Sequence, residues 1–459
     1  MSTPIAERLA AELVAIGERP LPADVERRTL ELLRDYLGVT LGGVPEPSSI
    51  AARRGVARLG ASGSATVIGT RTTLSPAHAA LVNGAAAHAL EMDDTHQGGS
   101  IHLGASVFSA ALAAAELHGA SGARVLRAAV AGYEVAARLA MALHPGAHYA
   151  RGFHPTGTCG AFGAAAAAGL IAGLDASQLA DAFGIAGSQA AGSMEFLTDG
   201  TWTKRLHPGW AACAGVHAAA LAGAGFRAPH TIFEGRFGTL HAYSDGATPA
   251  ALAGREGGEL LRTSIKPHAC CRYAQGPIDA VLELRRRHDL KPESVRAIEV
   301  GLVSPAFAIV CDPLDAKRRP RSVVDAQFSL PFSVAVALAT GAASPDEFTA
   351  ARFEDPAIRR LMDRVEPRHD ERLDARYPEV WPVWVKIATD AAVHEARVDH
   401  PRGDPENFPS PAELETKFRH LASRSLDDAA ITRLSTAIDA FAGAPSVAEL
   451  LASAQATGK

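Results

Sequence analysis

Cysteine is scarce in this 459-residue sequence, and its count is odd: Cys159, Cys213, Cys270, Cys271 and Cys311. The adjacent Cys270 and Cys271 cannot bond each other without strain, so the five read as reduced thiols rather than a disulfide framework. Basic surface is scarce too. The formal net charge is -5, and the densest basic stretch, Lys317 to Arg321, is short and interrupted by proline, which excludes nucleic acid as an expected partner. Long apolar runs are missing. The most apolar window, Gly157 to Leu174, is broken by glycine and falls below the ~20 residues that a membrane span needs, so it reads as a buried helix with no membrane association. Met1 to Glu12 carries no basic segment followed by an apolar stretch, which makes the cytoplasm the expected compartment. No fixed-period repeat is present.

What is present is ordinary globular material, 47% hydrophobic and 21% charged, in a chain too long for one compact core. Up to about residue 262 helical spacing dominates and strand signals are few. Ser75-Pro76 starts a helix expected to run towards Glu91, Asp175 opens another towards Ala191, and Pro22 to Asp24 precedes an amphipathic segment ending near Gly42. Small residues at Gly160 to Gly169 and Ala211 to Ala224 predict closely packed helices. The composition then shifts: Ser294 to Val303, Val383 to Thr389 and Ala392 to Val398 alternate like strands, with helices expected at Ala326 to Leu338 and Pro356 to Val365. A proline-punctuated connector follows Asp399, and Pro411 to Leu421 and Asp427 to Ala442 are helical again. The expected fold is mainly α. A large all-α helical domain (1-263, returning over 399-459) carries an inserted smaller α+β domain (264-398).

Four segments could carry chemistry. Asn83 to His102 crowds Glu91, Asp93, Asp94, Thr95, His96 and His102 at a helix end, and carboxylates beside an imidazole shift its pKa and fix its tautomer. The alternative is a helix end with solvated acids; a metal held by Asp94, His96 and His102 fits no standard spacing and is disfavoured. Gly152 to Gly160 sets His154 at a turn-rich helix entry where free N–H groups can seat a carboxylate, or else forms only a capped helix. Cys159 has no identifiable triad partners, so it is a poor candidate nucleophile. Thr198 to His207 offers Lys204 as a point charge for a carboxylate, with Arg205 or His207 assisting; a surface lysine is the plainer reading. Ser264 to Tyr273 supplies Lys266, His268, Arg272 and Tyr273 where the composition shifts and a cleft is expected, with Arg272 able to grip a carboxylate through two hydrogen bonds.

Taken in order, H-A-L-E-M-D-D-T-H, G-F-H-P-T-G-T-C-G-A-F-G, T-K-R-L-H-P-G-W, I-K-P-H-A-C-C-R-Y and G-D-P-E-N-F-P-S-P resemble the MmgE/PrpD family over nearly the whole chain. The resemblance implies a helical domain with a smaller α+β lid, a homodimer, no metal or organic cofactor, and a site between the two domains. Carried onto matching positions, the active-site residues are Asp93 or Glu91, Thr95, His102, His154, Lys204 and Lys266. The sequence departs from the usual pattern at Leu103, where proline is common, at Glu91, where aspartate is frequent, and at His268 and Gln275, where tyrosine and histidine are more usual. The expected activity is proton abstraction beside a carboxylate of a small di- or tricarboxylate. A 2-methylcitrate-like dehydratase is favoured over an epimerase of the iminodisuccinate type or a decarboxylase of the cis-aconitate type, and a non-catalytic carboxylate binder is the remaining alternative.

Overall fold

The computed structural model describes residues 3–254 and 258–456. Its helices form where small and apolar residues leave little to hold backbones apart. Helix Thr203–Gly223 packs against Gly160–Ala172 and Pro76–Ala87, and Gly160–Ala172 packs in turn on Gly104–His118 and Gly122–Ala142. Glycine is required where the Thr203–Gly223 and Pro76–Ala87 helices cross. A Cβ on Gly209 would lie 2.2 Å from the Leu81 carbonyl oxygen, and one on Gly84 would lie 2.8 Å from Gly209 Cα. The segment Pro155–Ala172 is apolar and long enough to cross a membrane by composition alone, but it is almost wholly buried inside this bundle.

Several expected elements differ in extent. The helix begun at Pro76 ends at Ala87, because His88 caps it and Glu91 adopts a left-handed φ of 56° that no helix can contain. The Asp175 start carries a full capping box with Gln178, and its helix stops at Gly187. The expected helix over Ala326 to Leu338 is two, Val323–Gln327 and Leu330–Thr340, divided where Ser329 caps the second through Phe332 N. The expected helix over Pro356 to Val365 ends at Met362. Val365–His369 is instead a strand that sequence spacing did not signal, since it alternates poorly and includes Pro367.

That strand completes a four-stranded sheet ordered Val365–His369, Val295–Leu302, Val383–Thr389, Val393–Val398; the first pair is parallel and the others are antiparallel. Helix Arg272–His288 packs on the last two strands and on helix Leu330–Thr340. Helix Pro411–Ala422, after the sheet, returns to Ala23–Gly43, where Lys417 Nζ donates to Asp35 Oδ1 at 2.5 Å and to the Met92 carbonyl at 2.8 Å. The chain is mainly α. A two-residue ladder joins the helical part to the segment that leads into the sheet, pairing Thr95 with Ser264 and His96 with Thr263. That ladder sets two candidate segments side by side.

Candidate active site

The ladder explains how residues 175 positions apart meet. Leaving the helix at His88, the chain turns through Glu91 and Asp93 before pairing at Thr95, while the partner segment continues from Ser264 into Lys266. Lys266 Nζ consequently lies 3.5 Å from Glu91 Oε2 and 3.9 Å from Asp93 Oδ1. Lys204, in the first turn of Thr203–Gly223, donates to the other Glu91 oxygen at 2.5 Å. Its ammonium also lies 5.1 Å from the centre of the Phe328 ring. Lys204 is only 5% exposed, so the surface-lysine reading does not hold.

Imidazoles close the other side. His88 Nδ1 bonds Asp93 Oδ2 at 2.7 Å, and His102 Nδ1 stands 3.2 Å from the same oxygen at an angle too bent for a full hydrogen bond. The His88 and His102 ring centres are 4.4 Å apart, and His154 lies 6.1 and 6.2 Å from them. The His102 backbone N–H bonds Thr156 Oγ1, which ties the loop to the short helix that His154 precedes. Among the described residues, His88 Nε2, Asp93 Oδ1 and Thr95 Oγ1 are buried polar atoms without a protein hydrogen bond. Buried polar atoms are normally paired, so their presence here is consistent with groups reserved for a ligand.

Burial by itself would raise both carboxyls, but the Lys204 and Lys266 ammoniums hold Glu91 below the usual carboxylate range. The contacts from His102 and His88 do the same for Asp93. Burial pushes His102 down to about 3, outweighing the attraction of Asp93, and it lowers His88 and His154 as well. Burial also lowers Lys204, against the pull of Glu91. At neutral pH the cluster therefore holds two carboxylates, neutral imidazoles and ammonium groups. Such a set can bind anionic oxygens and exchange protons with a neighbouring carbon.

The remaining candidates take partners outside this cluster. Arg272 bonds Asp404, which also accepts from Gln97 at 2.8 Å and from Ser264 at 3.0 Å. His268 Nε2 lies 2.9 Å from Asp279 Oδ1; the Tyr273 ring stacks on Trp381, and its hydroxyl meets Tyr377 at 3.1 Å. Asp94 is turned away to Gly104 N and to the Tyr133 hydroxyl, and burial pushes it up to about 7. His96 contacts Glu259 and accepts from Gly99 N, so Asp94, His96 and His102 do not form a metal site. Cys159 is buried and its thiol is pushed up to about 12, which leaves almost no thiolate.

Sequence reasoning passed over His88, which stands inside the quoted motif three residues before Glu91 and could have been found by that spacing. His88, His102 and His154 each offer a ligand atom within 4.8 Å of the others. A zinc ion would need those atoms about 3.4 Å apart, given Zn–N distances of about 2.0–2.1 Å. The adjacent ammoniums of Lys204 and Lys266 would oppose it.

Two family profiles match the chain, the MmgE/PrpD N-terminal domain over residues 7–252 and the MmgE/PrpD C-terminal domain over residues 268–440. Among curated relatives, a cis-aconitate decarboxylase-like protein of Aspergillus oryzae is 28% identical, covering 94% of this chain and 93% of its own length. A cis-aconitate decarboxylase of Aspergillus terreus is 27% identical, covering 90% and 88%, and that of Mus musculus is 26% identical, covering 95% and 90%. With four of its five motifs contributing to one buried cluster and both profiles spanning most of its length, the chain belongs to the MmgE/PrpD family.

Proposed function

We propose that this protein is a lyase that decarboxylates a small tricarboxylate of the cis-aconitate type. One observation carries the reading: Lys204 and Lys266 share a carboxylate, Glu91, beside three buried imidazoles. When a C–C bond to a carboxylate breaks and CO2 leaves, the electron pair stays on carbon and spreads onto a neighbouring conjugated carboxylate. Fixed ammoniums lower the energy of that charge, and an imidazole that has taken up a proton beside the bound substrate's carboxylates delivers it to the carbon and returns to the neutral form. This chemistry requires no metal or organic cofactor, since the side chains supply both charge and proton.

The same residue types would serve a dehydratase, the activity favoured from sequence. The choice moves to decarboxylation because the curated relatives carry the cis-aconitate decarboxylase name. Glu91, Asp93, His154, Lys204 and Lys266 are each no more than 5% exposed, so substrate entry needs a movement. In this reading the sheet-containing segment acts as the lid.

The test is incubation of the purified protein with cis-aconitate, 2-methylcitrate and iminodisuccinate, following CO2 release, absorbance of a new double bond, and proton exchange with deuterated water. Release of CO2 from cis-aconitate is expected. A new double bond from 2-methylcitrate without CO2 release would restore the dehydratase, and binding without any turnover would favour a carboxylate-binding protein.

A further inference from the structure

Behind the cluster stands a fourth imidazole. His154 and His207 face each other with their Nδ1 atoms 3.0 Å apart, and the two are 2% and 8% exposed. Each is anchored separately. The His154 backbone N–H bonds the Gly192 carbonyl at 2.9 Å, and His207 stands three residues after Lys204 on the same helix. Phe196 packs against both rings, with centres at 6.5 and 6.2 Å.

Two imidazole nitrogens at this separation share one proton, so one is an N–H and the other a lone pair. Burial, reinforced by neighbouring groups that include Lys204, lowers both imidazoles, His207 to about 3, so both are neutral at working pH. In a neutral imidazole, whichever nitrogen lacks the proton fixes the state of the other. His154 Nε2 is therefore governed by what His207 does at Nδ1.

The rest of the cluster indicates the direction. His88 Nδ1 bonds the Asp93 carboxylate and His102 Nδ1 stands 3.2 Å from the same oxygen; a carboxylate only accepts, so it favours the proton on Nδ1 of each and leaves Nε2 as the lone pair. The Lys204 and Lys266 ammoniums are turned to Glu91, so a donor on the imidazole side of the site has to come from the third histidine. His154 can supply one at Nε2 only if its Nδ1 accepts. We infer that His207 is a positioning residue: it donates its Nδ1–H to His154 Nδ1, so that His154 carries an Nε2–H donor in the cluster it shares with His88 and with His102 as the base. The inference rests on the proton-transfer reading above and adds a division of roles between the two histidines.

The tautomer can be read directly by nitrogen-15 NMR of histidine-labelled protein, with the His154 signals identified by their loss in His154→Gln. The expected result is a proton on Nε2 of His154 in the unsubstituted chain. His207→Phe removes the donor and should let that proton redistribute to Nδ1. It should also lower kcat on cis-aconitate by about tenfold or more with little change in KM, since a wrongly protonated imidazole is costly in proton-transfer sites. His207→Asn keeps an N–H near the Nδ1 position and should retain both the tautomer and most of kcat. A proton on Nδ1 of His154 in the unsubstituted chain would overturn the inference. So would equal losses in the Phe and Asn variants, which would mark His207 as packing only. Should no carboxylate be turned over, the functional proposal fails on its own, and the NMR result still decides the tautomer.

Discussion

Lys204 Nζ donates to Glu91 Oε1 at 2.5 Å, across 113 residues of sequence and with both side chains buried. Lys266 approaches the other oxygen of the same carboxylate, so Glu91 bridges two ammoniums. An isolated ion pair at this depth rarely adds stability, whereas breaking one strands a buried charge.

Lys204→Met should therefore destabilise the fold by about 3–5 kcal/mol in urea unfolding. Adding Glu91→Gln should recover part of that loss, giving a coupling of about 0.5–3 kcal/mol in the double-mutant cycle. Turnover should fall by about 10²-fold or more in each single variant, because charge stabilisation is lost whichever partner is removed. Additive losses would show that the two groups act independently.

Acid should unfold the protein through its histidines before its carboxylates protonate. His102 and His207 are lowered to about 3 and His148 to about 4, with His88 and His154 lowered as well. Between the ordinary histidine value near 6.5 and these lowered values, the unfolded chain binds more protons than the folded one. The imidazole contribution is then complete above about pH 6.5 and falls as pH drops, by about 1.4 kcal/mol per pH unit for each such imidazole. Urea midpoints at pH 7, 6 and 5 check this, and a flat series would contradict buried neutral imidazoles.

Asp94 works in the opposite sense. Its pKa is raised to about 7, so the folded chain keeps a proton that the unfolded chain loses above about pH 4. Its contribution declines as pH rises to 7 and is level beyond. Asp94→Asn keeps an acceptor for Gly104 N and removes the titration. Relative to the unsubstituted protein it should gain about 1.4 kcal/mol per pH unit between pH 4 and 7, then no more. Parallel stability curves would show that Asp94 is ionised throughout.

Gly209 lets the Lys204 helix lie against Pro76–Ala87. Because a Cβ there would stand 2.2 Å from the Leu81 carbonyl oxygen, Gly209→Ala must push the helices apart, at about 1–3 kcal/mol. Lys204 and His207 ride on that helix, so kcat should fall along with the melting temperature. Unchanged activity in a destabilised variant would show that the site tolerates the displacement.

Local order along the chain was legible wherever a signal was local. The Asp175 capping box, the strands at Val295–Leu302 and Val383–Thr389, and the quoted motifs could all be read from side-chain type and spacing, because capping, alternation and turn chemistry act over a few residues. The helix overrun towards Glu91 and the unsignalled strand Val365–His369 arose where distant contacts decide: the first stops where the chain must turn towards Lys204 and Lys266, and the second exists by pairing with Val295–Leu302.

The sequence by itself determined a mainly α chain, its family, and which imidazoles and ammoniums were available. Only the tertiary structure decided which of them meet. His88 joined the cluster unannounced, Arg272 was drawn to Asp404, and His207 was set against His154, because long-range pairing at Thr95 and Ser264 and close helix packing at Gly84 and Gly209 fix positions that spacing along a chain does not encode.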